Sequence, residues 1–374
     1  MILLSRGVLN WDDKALKFGL GIFETLLIKN KQVYFLEDHI SRLLATSEKL
    51  DIGKSFAKQA VHDLKQTCSD LKENQIIRLT LCDSGYSIES RELTYTLDNY
   101  KKGFSLEIYP YKRGENPMLR FKTTSYIENH IARENAKNSG FDDVVFLDYK
   151  SNILETSIAN IIFRKKDTFF INDENAFMLS GIALKNIRGI LSFELGYKLS
   201  EEMVSVDELE AFDEAFICNS AMNMMPVKSI GNISYSVNTD LAITVNDLLE
   251  VHSRYELSHD DVIEFVRTHY LSDKDIKYIF ITGSSKRLGY SKERDVDVFV
   301  FDNDTKEQNR SLVRHLGYDW DINIFSLELA EKMMHENIKF LVKAITESTL
   351  IYGDEEDFEN LKKNFYFLKS KIYL

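Results

Sequence analysis

Proline is scarce, with three positions in 374 residues, and no low-complexity tract surrounds them, which excludes a disordered or fibrous composition. Cysteine is almost as rare. Cys68, Cys82 and Cys218 are odd in number and form no CxxC pair, which argues against a disulfide framework or a zinc site and fits a reducing compartment. No stretch approaches the roughly 18 apolar residues of a membrane span, and the start, Met1-Ile-Leu-Leu-Ser-Arg, is far short of a signal-peptide core. A soluble, cytoplasmic protein is therefore expected, with no membrane partner. Positive charge is also in deficit. The net charge is −12, shared about equally on either side of Tyr255, so no basic stripe draws in nucleic acid by counterion release. Hydrophobic residues make up 44% of the chain, enough for the cores of two or three domains.

Periodicity divides the chain. Phe18-Gly19-Leu20-Gly21 reads as a turn feeding a strand at Ile22–Ile28, and Lys29-Asn30-Lys31 as a hairpin turn into a strand over 33–36. Helices are expected over about 37–50, with Ile40, Leu43 and Leu44 on one face, and over 55–68, followed by a strand at 76–81. This first unit is placed up to about residue 112, before the breaker Lys112-Arg-Gly-Glu-Asn-Pro117. A short strand ending at Lys122 comes next, then a helix to Asn138. Strands are expected over 143–147, 158–163, 168–171 and 214–218, with a helix opening at Ser180-Gly181-Ile182. A Met-rich turn then ends at Pro226, and a closing helix covers 238–252. A linker is expected near 253–258. Beyond it lie a helix carrying Val262, Phe265, Val266 and Tyr270, strands at 278–282, 295–301 and 321–325, and helices to the end.

In the last third, alternation along a strand puts Asp295 and Asp297 on one face. Two such carboxylates suit Mg²⁺, which binds one or two protein carboxylates and completes its shell with water and phosphate oxygens. Gly283-Ser284 ends the preceding strand and offers a turn that can approach a phosphate closely. An isolated Asp-x-Asp is more often a solvated strand edge. Here Gly-Ser, a ten-residue gap (Ser285 to Arg294), Asp-Val-Asp-Val and Asp321 in Trp-Asp-Ile-Asn-Ile-Phe follow in order. That order resembles the minimal nucleotidyltransferase domain of the DNA polymerase β superfamily. The resemblance implies metal binding by Asp295 and Asp297, acceptor activation by Asp321, and seating of a nucleoside triphosphate by Gly283 and Ser284.

Earlier in the chain, five blocks stand in order: Phe18-Gly-Leu-Gly-Ile-Phe-Glu-Thr25 with His39-Ile-Ser-Arg42-Leu; Lys122 before a helix; Glu155-Thr-Ser-Ile-Ala-Asn160; Ser180-Gly-Ile182; and Asn219-Ser220-Ala221 through Met225-Pro226-Val227. Alone, each key residue reads as a surface lysine, a loop acid, a salt-bridging arginine or a helix cap. Together they resemble the class IV aminotransferases, of fold type IV, which include branched-chain and D-amino acid aminotransferases and aminodeoxychorismate lyase. The resemblance implies pyridoxal 5'-phosphate as cofactor, with Lys122 as Schiff-base lysine and acid/base. It also implies Glu155 paired with the pyridine nitrogen, and a phosphate cup made by Arg42, the amides of Ile182 and Ala183, and the Ser220 hydroxyl. Asn160 and His39 are expected to be structural. Ala183 stands where relatives often place Thr. Cys82-Asp83-Ser84-Gly85 replaces an Arg-Gly pair, which leaves substrate carboxylate recognition open.

The expectation is thus a multidomain α+β / α/β chain. A two-subdomain fold type IV unit spans 1–254, with a small subdomain at about 1–112 and a large one at about 118–254. An α/β nucleotidyltransferase-like domain follows at 258–374. The substrate is expected to be a small amino acid or an aminodeoxychorismate-like molecule, and the assembly a homodimer.

Overall fold

Strand and helix periods in the sequence translate into two compact units, Met1–Arg254 and Tyr255–Leu374, in a computed structural model of the chain. Residues 2–7, 11–70, 74–173, 175–270, 276–283, 290, 292, 294–303, 305–335 and 339–372 are described.

The first unit opens with β1 (Ile2–Gly7), α1 (Lys14–Phe18), β2 (Gly21–Lys29) and β3 (Gln32–Val33). Two helices, α2 (Leu36–Leu50) and α3 (Lys54–Asp70), and the strands β4 (Gln75–Cys82) and β5 (Gly85–Glu92) follow. The five strands form one sheet in the order β1-β5-β4-β2-β3. Side chains alternate across it. Ile22, Leu26, Ile28, Ile77, Leu79 and Leu81 face α2 and α3 in one core. Phe23, Thr25, Arg78 and Thr80, matched pairwise by the β2–β4 register, face the other way.

After α4 (Leu97–Lys102) come β6 (Phe104–Arg113), α5 (Ile127–Asn138), β7 (Asp143–Asp148), β8 (Ile153–Thr156), β9 (Asn160–Lys165) and β10 (Thr168–Ile171). The unit ends with α6 (Ile182–Gly189), β11 (Lys198–Glu201), β12 (Glu214–Asn219), β13 (Asn223–Ile230), β14 (Ile233–Ser234) and α7 (Thr239–Arg254). The larger sheet runs β11-β10-β9-β12-β13-β6-β7-β8, and a further β8–β9 pairing closes its central strands on themselves. Ile161, Phe163, Ala215, Ile217 and Met225 fill the enclosed face. Ile162, Phe216, Cys218 and Met224 pack outward with α6 and α7.

Three expectations are corrected. The strand Phe104–Arg113 does not close the small sheet; it pairs with β13 and β7 in the larger one, so the boundary between the two sheets falls before residue 104 rather than near 112. Lys122 does not end a strand. Asn116 accepts a hydrogen bond from the Met118 N–H and Pro117 presets a 3₁₀ turn over Pro117–Arg120, after which the Lys122 segment is bridged to the start of β2. The Met-rich stretch is a strand, β13, after a turn at 219–223, and Pro226 lies one residue before pairing with β6 begins, where its missing N–H breaks no ladder on that side.

In the second unit, α8 (His259–Tyr270) precedes β15 (Ile276–Ile281), β16 (Val296–Asp302), β17 (Asn309–His315) and β18 (Tyr318–Ser326). Helices α9 (Leu327–His335) and α10 (Lys339–Thr346), β19 (Thr349–Tyr352) and α11 (Glu355–Ile372) complete it. Its sheet is ordered β17-β18-β16-β15-β19, with β16 and β18 parallel. Phe280, Phe299, Phe301, Phe325, Leu341, Ile345 and Phe358 make its core. The sequence pattern misses β17 and β19, which are mostly exposed or half-buried. Among the described residues, no helix is long and apolar enough to cross a membrane.

Candidate active site

One cavity of about 600 Å³ in the first unit is lined by every residue singled out there for cofactor chemistry: Arg42, Lys122, Glu155, Ile182, Ala183 and Ser220. Each arrives from a different element. The Lys122 carbonyl accepts a hydrogen bond from the Phe23 N–H at 3.0 Å, and the Thr124 N–H donates to the Gly21 carbonyl at 2.8 Å, which fixes the lysine against β2. Its ammonium lies 4.5 Å from the Phe23 ring centre. Desolvation, assisted by the Arg42 charge, lowers its pKa to about 8 against the pull of Glu24 and Glu155.

Glu155 sits at the end of β8, buried. Desolvation pushes its carboxyl up to about 7, while the Arg113 charge, the Leu179 N–H and Lys122 draw it down. Oε1 accepts from Arg113 Nη1 at 3.3 Å, and Oε2 from the Leu179 N–H at 3.3 Å. The following loop is held from α5 and its approach, where Tyr126 Oη and Asn129 Nδ2 each donate to the Ser157 carbonyl at 2.8 Å.

On the anion-binding side, Gly181 is the N-cap of α6 and no side chain caps it, so the helix end is presented to the cavity with its first amides, Ile182 and Ala183. A β-carbon at Gly181 would run into Asn160 Oδ1. Asn160 Nδ2 donates to the Leu179 carbonyl at 2.9 Å, so this asparagine holds the loop from which Leu179 reaches Glu155 and Gly181 opens the helix. Ser220 sits in the β12–β13 turn, which Asn219 Oδ1 fixes by accepting from the Ala221 and Met222 N–H groups at 2.8 and 3.0 Å.

Arg42 arrives from α2 already engaged. Nε and Nη2 donate to the two oxygens of Glu24 at 2.8 and 2.7 Å, and Nη1 to the Ser180 carbonyl at 2.8 Å. Three of the five N–H groups of the guanidinium are thereby used, and two remain for an anion. His39 Nδ1 lies 2.7 Å from Glu24 Oε2, and both side chains are buried on the helix-facing side of the sheet.

Sequence reasoning missed Glu24, Arg78 and Arg113. Glu24 alternates with Ile22 and Leu26, a charge at a core position of β2, and that is the one signal that marks it. Arg78 stacks on the Phe23 ring at 3.9 Å and lines the cavity; desolvation lowers its pKa, with Glu89 opposing. Arg113 lies inside residues 112–117, which read in the sequence as a polar breaker.

In the second unit, Gly283, Asp297 and Asp321 line a cavity of about 930 Å³. The parallel register of β16 and β18 sets Asp297 directly beside Asp321. Burial raises the Asp297 carboxyl to about 6, and the charges of Asp321 and Asp295 add to it. Asp321 is held in a fork by Arg310, at 2.9 and 2.7 Å. Asp295 precedes β16, is exposed, and does not line this cavity. Gly283 has φ +63, and a β-carbon there would strike Asp297 Oδ2. Ser284 lies outside the described residues. Among the described residues, no group of three or more His, Cys, Asp or Glu side chains is arranged to hold a metal ion.

The amino-transferase class IV profile matches residues 21–230. A probable branched-chain-amino-acid aminotransferase of Rickettsia felis is 25% identical over 232 residues, covering 58% of this chain and 79% of that protein. The aminodeoxychorismate lyase of Vibrio harveyi is 24% identical over 241 residues, covering 58% and 86%. Among solved structures, 4-amino-4-deoxychorismate lyase from Pseudomonas aeruginosa superposes with a TM-score of 0.58 at 21% identity, covering 66% of this chain and 95% of that one. The branched-chain amino acid aminotransferase of Escherichia coli gives 0.57 at 18% identity, covering 65% and 88%. At these identities the structural likeness shows a shared fold. Since the profile takes in more than half of the sequence, the chain belongs to the class IV aminotransferase family.

Proposed function

We propose that the first unit is a pyridoxal-phosphate enzyme that acts on the amino group of a small amino acid, with transamination as the leading reaction and β-elimination on an aminodeoxychorismate-like substrate as the alternative. The observation that carries the reading is the convergence of a desolvated lysine, a buried carboxyl and an uncapped helix end with an arginine on one cavity. These residues fit the cofactor, because each of its polar ends meets a group of the right kind. When bound, the cofactor supplies an electron sink for the pair released at the substrate α-carbon.

Lys122 holds the cofactor covalently, and its Nζ takes or returns the α-proton; a pKa lowered to about 8 keeps a usable share of free amine near neutral pH. Glu155 would pair with the pyridine nitrogen and favour its protonated form. Arg42, the Ile182 and Ala183 amides and Ser220 hold the phosphate, a helix N-terminus favouring an anion. Arg78, which lines the cavity beside Phe23, would take the substrate carboxylate, a role that the Cys82–Gly85 turn does not fill. Exposed Trp11, Phe18 and Ile127 fit a surface covered by a second copy, and a homodimer is the assembly that light scattering should report. Purified protein should be yellow and bleach on addition of its amino donor, and Lys122→Ala should abolish both the colour and turnover. A wild-type protein that stays colourless with added pyridoxal phosphate refutes the assignment.

For the second unit we propose Mg²⁺-dependent handling of a nucleoside triphosphate, with transfer to an acceptor as the reaction. The specific observation is the parallel pairing of Asp297 with Asp321 at a cavity wall, with a carboxyl raised to about 6 by burial and further by the charges of Asp321 and Asp295, a cost that a divalent cation relieves. In this reading Asp297 would hold the metal, joined by Asp295 only if that exposed side chain turned toward the cavity, Gly283 and Ser284 would seat the phosphates, and Asp321 would activate the acceptor. Binding of ATP that depends on Mg²⁺ and is lost in Asp297→Asn supports it; binding unaffected by that change rejects the metal assignment.

A further inference from the structure

We infer that Arg113 is the positioning residue for Glu155: its guanidinium fixes the orientation of that carboxylate and keeps it anionic toward the ring nitrogen. The inference rests on the proposed pairing of Glu155 with the pyridine nitrogen. Arg113 is the last residue of β6 and only 5% exposed. Every nitrogen of its guanidinium is committed. Nη1 donates to Glu155 Oε1 at 3.3 Å, Nε to Glu128 Oε2 at 2.9 Å, and Nη2 to Asn129 Oδ1 at 2.8 Å, while the guanidinium lies 3.4 Å from the Phe146 ring centre. A cation buried to this degree is costly unless fully paired, and here it is shared between two acids, of which Glu155 is the buried one and Glu128 the exposed one.

The backbone provides a second, independent indication. Pairing of β6 with β7 slips between Ile108 and Lys112, around Pro110, and resumes with Lys112 and Arg113. Such an irregularity re-aims the side chains that follow it, and the one it re-aims here ends against Glu155. Glu155 is also faced by the Leu179 N–H, by the Lys122 ammonium and by the Tyr126 phenol. Of the influences that hold its proton off, the Arg113 charge is the largest. Glu128, on the exposed side of α5, shares that charge, so it weakens what Glu155 receives.

The test uses the full-length protein loaded with pyridoxal phosphate labelled with ¹⁵N in the ring, whose nitrogen shift is read against pH. In Arg113→Met the ring nitrogen should lose its proton at least one pH unit lower than in wild type, and the cofactor dissociation constant at pH 8 should rise roughly tenfold. Arg113→Lys keeps the charge and should recover most of the titration, though not all of the bonds to Glu128 and Asn129. Glu128→Gln should move the titration the other way, by about two- to threefold in the protonation constant, because Arg113 is then undivided. A folded Arg113→Met protein that titrates like wild type overturns the inference. If that variant does not fold, Arg113→Lys and Glu128→Gln decide, and an unmoved titration in Glu128→Gln overturns it. Wild-type protein that takes up no pyridoxal phosphate fails the cofactor assignment instead. Arg113 is then still tested in the unloaded protein, where ¹³C-carboxyl titration of Glu155 must shift upward in Arg113→Met or the inference falls.

Discussion

Replacing Glu24 by glutamine removes one negative charge from a side chain that is 2% exposed and bonded to both Arg42 and His39. Burial alone would raise this carboxyl, yet the Arg42 charge and hydrogen bonds, with His39 adding, bring it from 4.5 to about 2. A folded-state pKa below the unfolded one means that the stabilisation is complete above about 4.5 and is lost as pH falls toward 2. The shift corresponds to about 3 kcal/mol at neutral pH. Glutamine keeps the shape and one acceptor, but leaves Arg42 with the Ser180 carbonyl as its main partner, so a loss of about 2–4 kcal/mol is expected. Urea unfolding of the first unit, followed by hydrogen exchange of β2 and β4 amides, reads it at pH 7. Stability of the variant should then fall less steeply than that of wild type between pH 4.5 and 2, since Asp63 and Glu250, also held low, still titrate there. Cofactor affinity should drop as well, since Glu24 aims the Arg42 donors at the cavity. A variant within about 0.5 kcal/mol of wild type at pH 7 refutes the claim that this ion pair organises the phosphate side of the site.

Three other changes have definite directions. Gly181→Ala drives a β-carbon into Asn160 Oδ1 and should lower pyridoxal-phosphate affinity on the order of tenfold, measured by cofactor titration; adding Asn160→Ala should not restore it, because the Leu179 anchor is lost too. Asp297→Asn should stabilise the second unit at pH 8 by about 1 kcal/mol once solvent screening of this half-buried group is allowed for, and have no effect at pH 3. Its folded-state pKa is raised to about 6, so the wild-type carboxyl costs stability only as pH rises through that range, which paired urea melts would show. Gly283→Ala combines strain at φ +63 with a clash on Asp297 and should cost the second unit about 1–3 kcal/mol in the same assay.

Much of this protein was legible without a structure because it is local. Helices α2, α3, α5, α7 and α8 follow from apolar stripes, and the alternation in β2, β4, β16 and β18 is plain in the residues. Errors arose where neighbours override local signals. Pro226 reads as a turn residue, but β12 and the start of the β6 pairing accommodate it in a strand. Phe104–Arg113 ends at a polar breaker and so reads as the close of the first sheet, whereas its edge is completed by β13 and β7, more than thirty residues away in sequence for the nearer of them. Only the last two residues of β17 and none of β19 are fully buried, too little to leave a pattern.

Residue chemistry and order were set by the sequence alone: a lysine before a helix, an acid before an Asn-bearing strand, a glycine opening α6, and two aspartates one residue apart. Which of these share a space was decided by sheet pairing. Lys122 meets Glu155 and the α6 N-terminus because β2 is stitched to the Lys122 segment and β8 to β9; Asp297 meets Asp321 because β16 and β18 run parallel in register. The acids and cations that tune the site, Glu24 on Arg42 and Arg113 on Glu155, are visible only there, because a charge at a core position looks like an error until its partner, 18 or 42 residues distant, is folded against it.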